Sequence, residues 1–223
     1  MSRGPRLVLL GKQGAGKGTQ AARLAEHYGI AHVATGDLFR AAAAAGTPAG
    51  LEAERYMNRG ELVPDDLVFK IVEERFAEGG PLEHGFVLDG FPRTLRQAEK
   101  LEAALETHPL DLVINLDVPT EIVLHRIAGR RVCEKCGTNY HVSAPPKSNW
   151  TCDVCGGRVI QREDDTEDAV MRRLELYDEE TVPIIDFYRK LGKLVVVDGT
   201  GDTDDVFKRL VEQVDQRLKP LQT

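Results

Sequence analysis

The glycine-rich run Gly11-Lys12-Gln13-Gly14-Ala15-Gly16-Lys17-Gly18-Thr19 follows the apolar stretch Arg6–Leu10 and leads into a helical pattern over Lys17–Tyr28. It constrains the fold more than any other feature. It contains G-x-x-x-x-G-K, with threonine one place later than the usual hydroxyl position. Phosphate binding needs glycines here because the backbone must wrap closely with its N–H groups turned inward. The helix that follows adds the positive end of its dipole. Gly14, Ala15, Gly16, Lys17, Gly18 and Thr19 are therefore candidate phosphate ligands. Lys17 supplies a point charge for the outer phosphates, and Thr19 is the nearest hydroxyl for Mg²⁺.

The remaining pattern agrees with a strand–loop–helix unit. Ala31–Ala34, Phe86–Leu88, Leu112–Leu116 and Leu194–Val197 read, with Arg6–Leu10, as short buried strands. Helical stretches fall at residues 37–45, 49–58, 65–77, 95–106, 120–127, 167–190 and 203–218. Pro64 and Pro119 suit helix starts, and Pro183 predicts a kink in the long helix. The alanine run Ala41–Ala45 reads as helix packing. Strands alternating with helices predict a parallel sheet covered on both faces. The strand Phe86-Val87-Leu88 ends in Asp89, a carboxylate placed to sit near Mg²⁺.

Residues 130–163 break the alternation. They are poor in apolar runs and carry Pro145-Pro146, Gly156-Gly157 and all 4 cysteines of the chain. The spacing Cys133-x₂-Cys136, then Cys152-x₂-Cys155, fits a four-thiolate structural zinc site. Iron suits the same tetrahedral set, and two disulfides are the other reading. A structural zinc contributes ~10–16 kcal/mol of apparent binding energy to a small module. That exceeds what so few apolar residues could bury. Four cysteines complete the shell, so His141 reads as a lid-surface or nucleotide-side residue.

Composition excludes several classes. The 223 residues carry 29 basic and 36 acidic side chains, a net charge of −7. A polybasic nucleic-acid coat or membrane binder is excluded. No apolar run approaches the ~20 residues of a membrane span. Met1–Arg6 is mildly basic, but Leu7–Leu10 is too short for a signal peptide, so a cytoplasmic protein is expected.

Five blocks occur in one order: GKQGAGKGTQ at 11–20, TGDLFR at 35–40, GELVPDDLV at 60–68, GFVLDGFPRT at 85–94, and an arginine-bearing arm from Arg126 through Arg173. Together they resemble the adenylate kinases, in the long-lid form of that family. The resemblance implies a P-loop nucleoside monophosphate kinase with a five-stranded parallel sheet. It implies a core at 1–33, 64–129 and 165–223, an AMP-binding segment at 34–63, and a zinc-stapled lid at 130–164. The implied reaction is Mg²⁺·ATP + AMP ⇌ 2 ADP in a monomer that binds neither nucleic acid nor membrane.

By the same resemblance, ATP would be held by residues 14–19, Arg126 and Arg130, with Asn139, Tyr140 and Gly201 at its base or ribose. AMP would meet Thr35, Arg40, Glu61, Leu62, Val63, Gly90, Phe91, Pro92, Arg93 and Gln97. Arg162 and Arg173 would reach the transferring phosphoryl. Lys17, Arg93, Arg126, Arg162 and Arg173 form the implied catalytic set. Thr35 and Gln97 favour AMP, since pyrimidine-specific relatives tend to carry Ala and Asn there. The family often has proline where this chain has Gln13, a change that removes no N–H donor. Asp164 and Asp165 follow Arg162 and suit either a holding role toward lid arginines or a direct one. A UMP, CMP or GMP kinase, a GTP-preferring donor site, an ATPase or signalling GTPase, and an ATP-switched zinc-ribbon nucleic-acid-binding protein remain the alternatives at this point.

Overall fold

The computed structural model describes residues 4–77 and 80–219. The first three and last four residues of the expected core segments, and residues 78–79, lie outside the described residues. In chain order the central strands are β1 (Arg6–Leu10), β2 (Ala31–Ala34), β3 (Phe86–Asp89) and β4 (Leu112–Asp117). The insertion follows with β5 (Arg130–Cys133), β6 (Asn139–His141) and β7 (Val159–Ile160), and β8 (Leu194–Asp198) returns to the core. The helices are α1 (Lys17–Tyr28), α2 (Thr35–Ala44), α3 (Pro48–Asn58), α4 (Asp65–Ala77), α5 (Pro81–His84), α6 (Leu95–Ala104), α7 (Thr120–Ala128), α8 (Glu167–Leu176), α9 (Val182–Lys190) and α10 (Thr203–Leu218).

Five strands form one parallel sheet in the order β2-β3-β1-β4-β8. Every residue of β1 is buried, which is why its sequence shows no alternation. One cluster on the sheet includes Leu7, Leu9, Ile114, Leu116 and Leu210. The other includes Val8, Phe86, Leu88, Phe91 and Tyr188. Each expected strand lies within an observed one.

Besides the short helix α5, which was not expected, two elements differ from the sequence expectation. Residues 167–190 are not one kinked helix. Tyr177–Thr181 winds as a π turn between α8 and α9, and Pro183 sits in the first turn of α9. Proline has no N–H to continue the α ladder, and the widened turn ahead of it absorbs the break. The insertion also forms a sheet of its own, antiparallel in the order β6-β5-β7. Its one apolar cluster holds only Cys133, Cys152 and Val159, with Tyr140 and Cys155 against them, and Val132 is buried besides.

The small residues of α2 do pack a helix. A Cβ on Gly50 of α3 would lie 2.2 Å from the backbone of Ala42 and Ala43, so only glycine permits this approach. α3 starts on Thr47, whose hydroxyl accepts from Gly50 N–H at 3.1 Å. α6 starts likewise on Thr94 and α8 on Thr166. α1 has no side-chain cap: it begins after Gly16 at φ +102°, so its first N–H groups are left for a ligand.

Candidate active site

The loops after β1, β2, β3 and β8 border one cavity of about 1030 Å³. β1 is central, whereas β2 and β8 are the two edges of the sheet. The cavity thus runs along the carboxyl ends of the strands, where open α/β sheets place their ligands. Its volume lies at the top of the ~300–1,000 Å³ range of single-ligand pockets.

The phosphate loop occupies the middle. Gly14 and Gly16 have φ of +81° and +102°. A Cβ on Gly14 would come within 2.7 Å of Ile127. Lys17 Nζ donates to the Gly11 and Lys12 carbonyls at 2.7 and 2.8 Å, which holds it back along the loop. Burial lowers its pKa to about 8; nearby Asp89 opposes this, and Arg93 and Arg130 reinforce it. Burial pushes Asp89 upward, but His32 and Lys17 outweigh it and hold the carboxyl below its ordinary range. His32 Nε2 stands 3.9 Å from Asp89 Oδ2, beyond hydrogen-bond reach. Thr19 and Asp89 both line the cavity.

Six arginines converge on this space: Arg40, Arg93, Arg126, Arg130, Arg162 and Arg173. Five are already anchored. Arg126 donates to the Ala15 and Gly199 carbonyls at 3.1 Å each, tying the phosphate loop to the end of β8. Arg130 forks onto Asp165, with Nε at 2.8 Å from Oδ2. Arg173 Nη2 donates to Asp164 at 2.8 Å and to the Met57 carbonyl at 2.6 Å. Arg40 pairs with Asp37 at 2.5 Å, and Arg93 Nε donates to the Gly90 carbonyl at 2.7 Å. Arg162 makes no hydrogen bond or ion pair among the described residues, and its Nε is buried without a partner. Burial and the charges of Arg40 and Arg130 lower it to about 10. Depth in the cleft and neighbouring Arg173 lower Arg93 to about 10 as well. Both remain cations at neutral pH.

On the β2 side, Thr35 Oγ1 donates to the Gly90 carbonyl at 3.0 Å. Gly90 has φ +78°, which favours glycine, and a Cβ there would also crowd Arg93 at 2.9 Å and Thr35 at 3.1 Å. Gln97 is buried and committed at both ends: Oε1 accepts from Arg93 N–H, and Nε2 donates to Asp65, each at 2.7 Å. Glu61, Leu62, Val63 and Pro92 line the cavity. Phe91 does not. Its ring is 1% exposed and packs edge-on against Phe69 in the core, which corrects its place among the candidate contacts. Its motif neighbours face the ligand space, whereas the apolar ring anchors the loop.

On the lid side, Asn139, Tyr140, His141 and Gly201 line the cavity. The Tyr140 hydroxyl is taken up by the cysteine cluster. It donates to Cys152 Sγ at 3.4 Å and accepts from Asp153 N–H at 2.8 Å. The sulfur atoms of Cys133, Cys136, Cys152 and Cys155 all lie within 4.8 Å of one another. All four are free thiols; Cys133 and Cys155 stand 3.5 Å apart and Cys136 and Cys152 3.6 Å, too long for a disulfide near 2.05 Å. A tetrahedral ion with bonds of ~2.3 Å would place its sulfurs ~3.8 Å apart, so the set is positioned for a metal. His141 lies outside the set, its Nδ1 at hydrogen-bond distance from Ser143.

Sequence reading missed Met57, Tyr177 and Thr181 as cavity residues. The π turn presents the last two: Tyr177 donates to Asn115 at 3.1 Å and Thr181 to the Arg93 carbonyl at 3.3 Å. No motif marks them.

This geometry agrees with the comparisons to known proteins. A family model described as adenylate kinase matches residues 9–193. The chain belongs to the adenylate kinase family. It is 52% identical over 208 residues to an adenylate kinase of Thermodesulfovibrio yellowstonii, covering 92% of this chain and 96% of that one. An adenylate kinase of Methanosarcina acetivorans is 49% identical over 207 residues, covering 92% and 95%. One of Bacillus subtilis is 50% identical over 204 residues, covering 90% and 94%. These matches favour an adenylate kinase over the ATPase and zinc-ribbon alternatives.

Proposed function

We propose that this adenylate kinase transfers the terminal phosphoryl of ATP directly to AMP, giving two ADP, with no protein nucleophile. One observation carries the reading: six arginines and Lys17 meet in a single cavity that spans both edges of the sheet, with the phosphate loop between them. Phosphoryl transfer spreads charge over oxygens and asks the protein for fixed cations and alignment.

ATP lies on the β8 side, its phosphates on residues 14–19, Lys17, Arg126 and Arg130, and its base toward Asn139, Tyr140 and Gly201. AMP lies on the β2 side. Arg40 and Arg93 hold its phosphate, and Thr35, residues 61–63, Gly90, Pro92 and Gln97 surround the nucleoside. Because the Gln97 carboxamide is already engaged, it has one N–H and one lone pair left for a base. Arg162 and Arg173 serve the group in transit; Arg162 has no hydrogen-bond partner among the described residues, which leaves its guanidinium for the phosphoryl. Thr19 and Asp89 fit a magnesium ion, an oxygen-seeking cation that would neutralise charge on the phosphates. The four thiolates fit a structural zinc with no position left open for chemistry. Segments 34–63 and 130–164 close over the nucleotides and keep water from the phosphoryl. The protein works as a monomer in the cytoplasm, where reduced cysteines suit a metal.

The test is ADP formation from Mg²⁺·ATP with AMP, CMP, UMP, GMP or no acceptor. Turnover with AMP, and almost none without acceptor, is expected. Preferred turnover with another monophosphate would move the substrate. Steady phosphate release without acceptor would refute the reading.

A further inference from the structure

The side chain of Gln13 joins the phosphate loop to the base of the lid. Residues 12–15 form a turn closed by Ala15 N–H to the Lys12 carbonyl at 3.1 Å. Its third residue, Gly14, has φ +81°, and Gln13 before it is not left-handed. This is the type II pattern, in which proline is favoured at the position Gln13 holds. Glutamine is therefore not needed for the turn; what it adds is a side chain.

That side chain crosses to the lid. Gln13 Nε2 donates to Asp165 Oδ1 at 3.2 Å. The Asp165 side chain is fully enclosed, and its two oxygens also receive the Arg130 fork. Arg130 opens β5, the first strand of the lid, and borders the cavity. At the other end of the carboxamide, Oε1 is buried and has no hydrogen-bond partner among the described residues. A half-satisfied carboxamide is better solvated by water than enclosed. The bond to Asp165 is what holds it in place.

We propose that Gln13 is a positioning residue for the donor nucleotide. A carboxylate held only by one arginine fork can still tilt with that arginine. A third donor from the phosphate loop fixes the plane of Asp165, and so the place of the Arg130 guanidinium relative to the loop. The loop and the lid arginine then meet the ATP phosphates as a preset unit, and less ordering is required on binding. The effect is one-sided, because the bond links only the phosphate loop and the lid base. This inference rests on the reading of the cavity as the ATP–AMP transfer site.

Binding of Mg²⁺·ATP and of AMP, measured separately by calorimetry, tests it in the wild type, Gln13→Met and Gln13→Pro. Methionine keeps the length without the polar end, and proline keeps the turn. The Mg²⁺·ATP dissociation constant is expected to rise about three- to tenfold in both variants, as for one lost hydrogen bond. The AMP constant stays unchanged, and Gln13→Pro melts no lower than wild type. An unchanged Mg²⁺·ATP constant in both variants, or equal weakening of both nucleotides, overturns the role of Gln13. No Mg²⁺·ATP binding by the wild type overturns it together with the reading it rests on.

Discussion

Asp164 Oδ2 accepts from Arg173 Nη2 at 2.8 Å, and the same oxygen stands 3.9 Å from Arg40 Nη1. One carboxylate at the end of the lid therefore faces an arginine of α8 and an arginine of α2. Burial alone would raise its pKa; Arg173 and Arg40 prevail and lower it. A depressed carboxyl contributes stability above its unfolded value of ~3.9 and loses it as pH falls through the folded value. Asp164→Asn is expected to destabilise the protein by about 1.5–3 kcal/mol at pH 7, the range of a hydrogen bond to a charged group. Chemical denaturation from pH 7 to pH 2 checks this: the gap between wild type and variant should hold down to ordinary carboxylate values and vanish below them.

Arg162 and Arg173 face the same space but differ in their ties. Arg173 is pinned by Asp164 and Met57, whereas Arg162 has no partner among the described residues and sits near the like charges of Arg40 and Arg130. Arg162→Ala should leave stability within about 0.5 kcal/mol of wild type. It should lower kcat by roughly 10²-fold, the scale of one lost transition-state donor. Thermal melting and steady-state rates on the same sample separate the two effects.

Lys17 is expected to give the pH profile a basic limb. Its pKa is lowered to about 8, so the free enzyme loses the ammonium above that pH. kcat/KM for ATP reports the free enzyme and should fall toward tenfold per pH unit above about 8. Folding stability moves the other way. The unfolded lysine holds its proton to ~10.4, so stability rises with pH between about 8 and ~10.4. A pH–rate profile flat to 9.5 would contradict the assignment.

The cysteine cluster is the main support of the lid sheet, whose apolar interior is so small. Cys133→Ser should lower metal content and melting temperature together, with a smaller change in the rate of transfer at low temperature. Metal analysis and calorimetry decide it; full metal content with an unchanged melting temperature would refute the staple.

The lid tip carries a conformational cost. Asn149 and Trp150 have φ of +26° and +55°, in a turn closed by Thr151 N–H to the Ser148 carbonyl at 2.7 Å. Two consecutive left-handed residues favour Asn-Gly, and a bulky residue there is strained. Trp150→Gly is expected to stabilise the lid by about 0.5–1 kcal/mol. Hydrogen exchange at residues 139–160 should slow accordingly.

The core was legible because strands buried on both faces are unbroken apolar runs, and because the glycines around Lys17 and at Gly90 leave a mark wherever backbone must approach a ligand. β5, β6 and β7 were not: they are short, and a metal set of cysteines rather than an alternating apolar face organises them. The π turn was read only as a proline kink, since nothing local separates a bend from a widened turn. Phe91 turns into the core while its neighbours line the cavity, and a motif does not say which of its side chains turns inward. The holding role of Asp164 and Asp165 was half visible from their place beside Arg162. Their actual partners, Arg173 and Arg130, are distant in sequence and no spacing reveals them. The link from Gln13 to Asp165 spans the chain in the same way.

In the proposed reaction both nucleotides occupy one cavity and the phosphoryl passes directly between them. Initial rates measured over a matrix of ATP and AMP concentrations test it most directly. Intersecting double-reciprocal lines are predicted, as for a complex holding both substrates. Parallel lines would mean that ATP leaves its phosphoryl on the protein before AMP binds, and would contradict direct transfer.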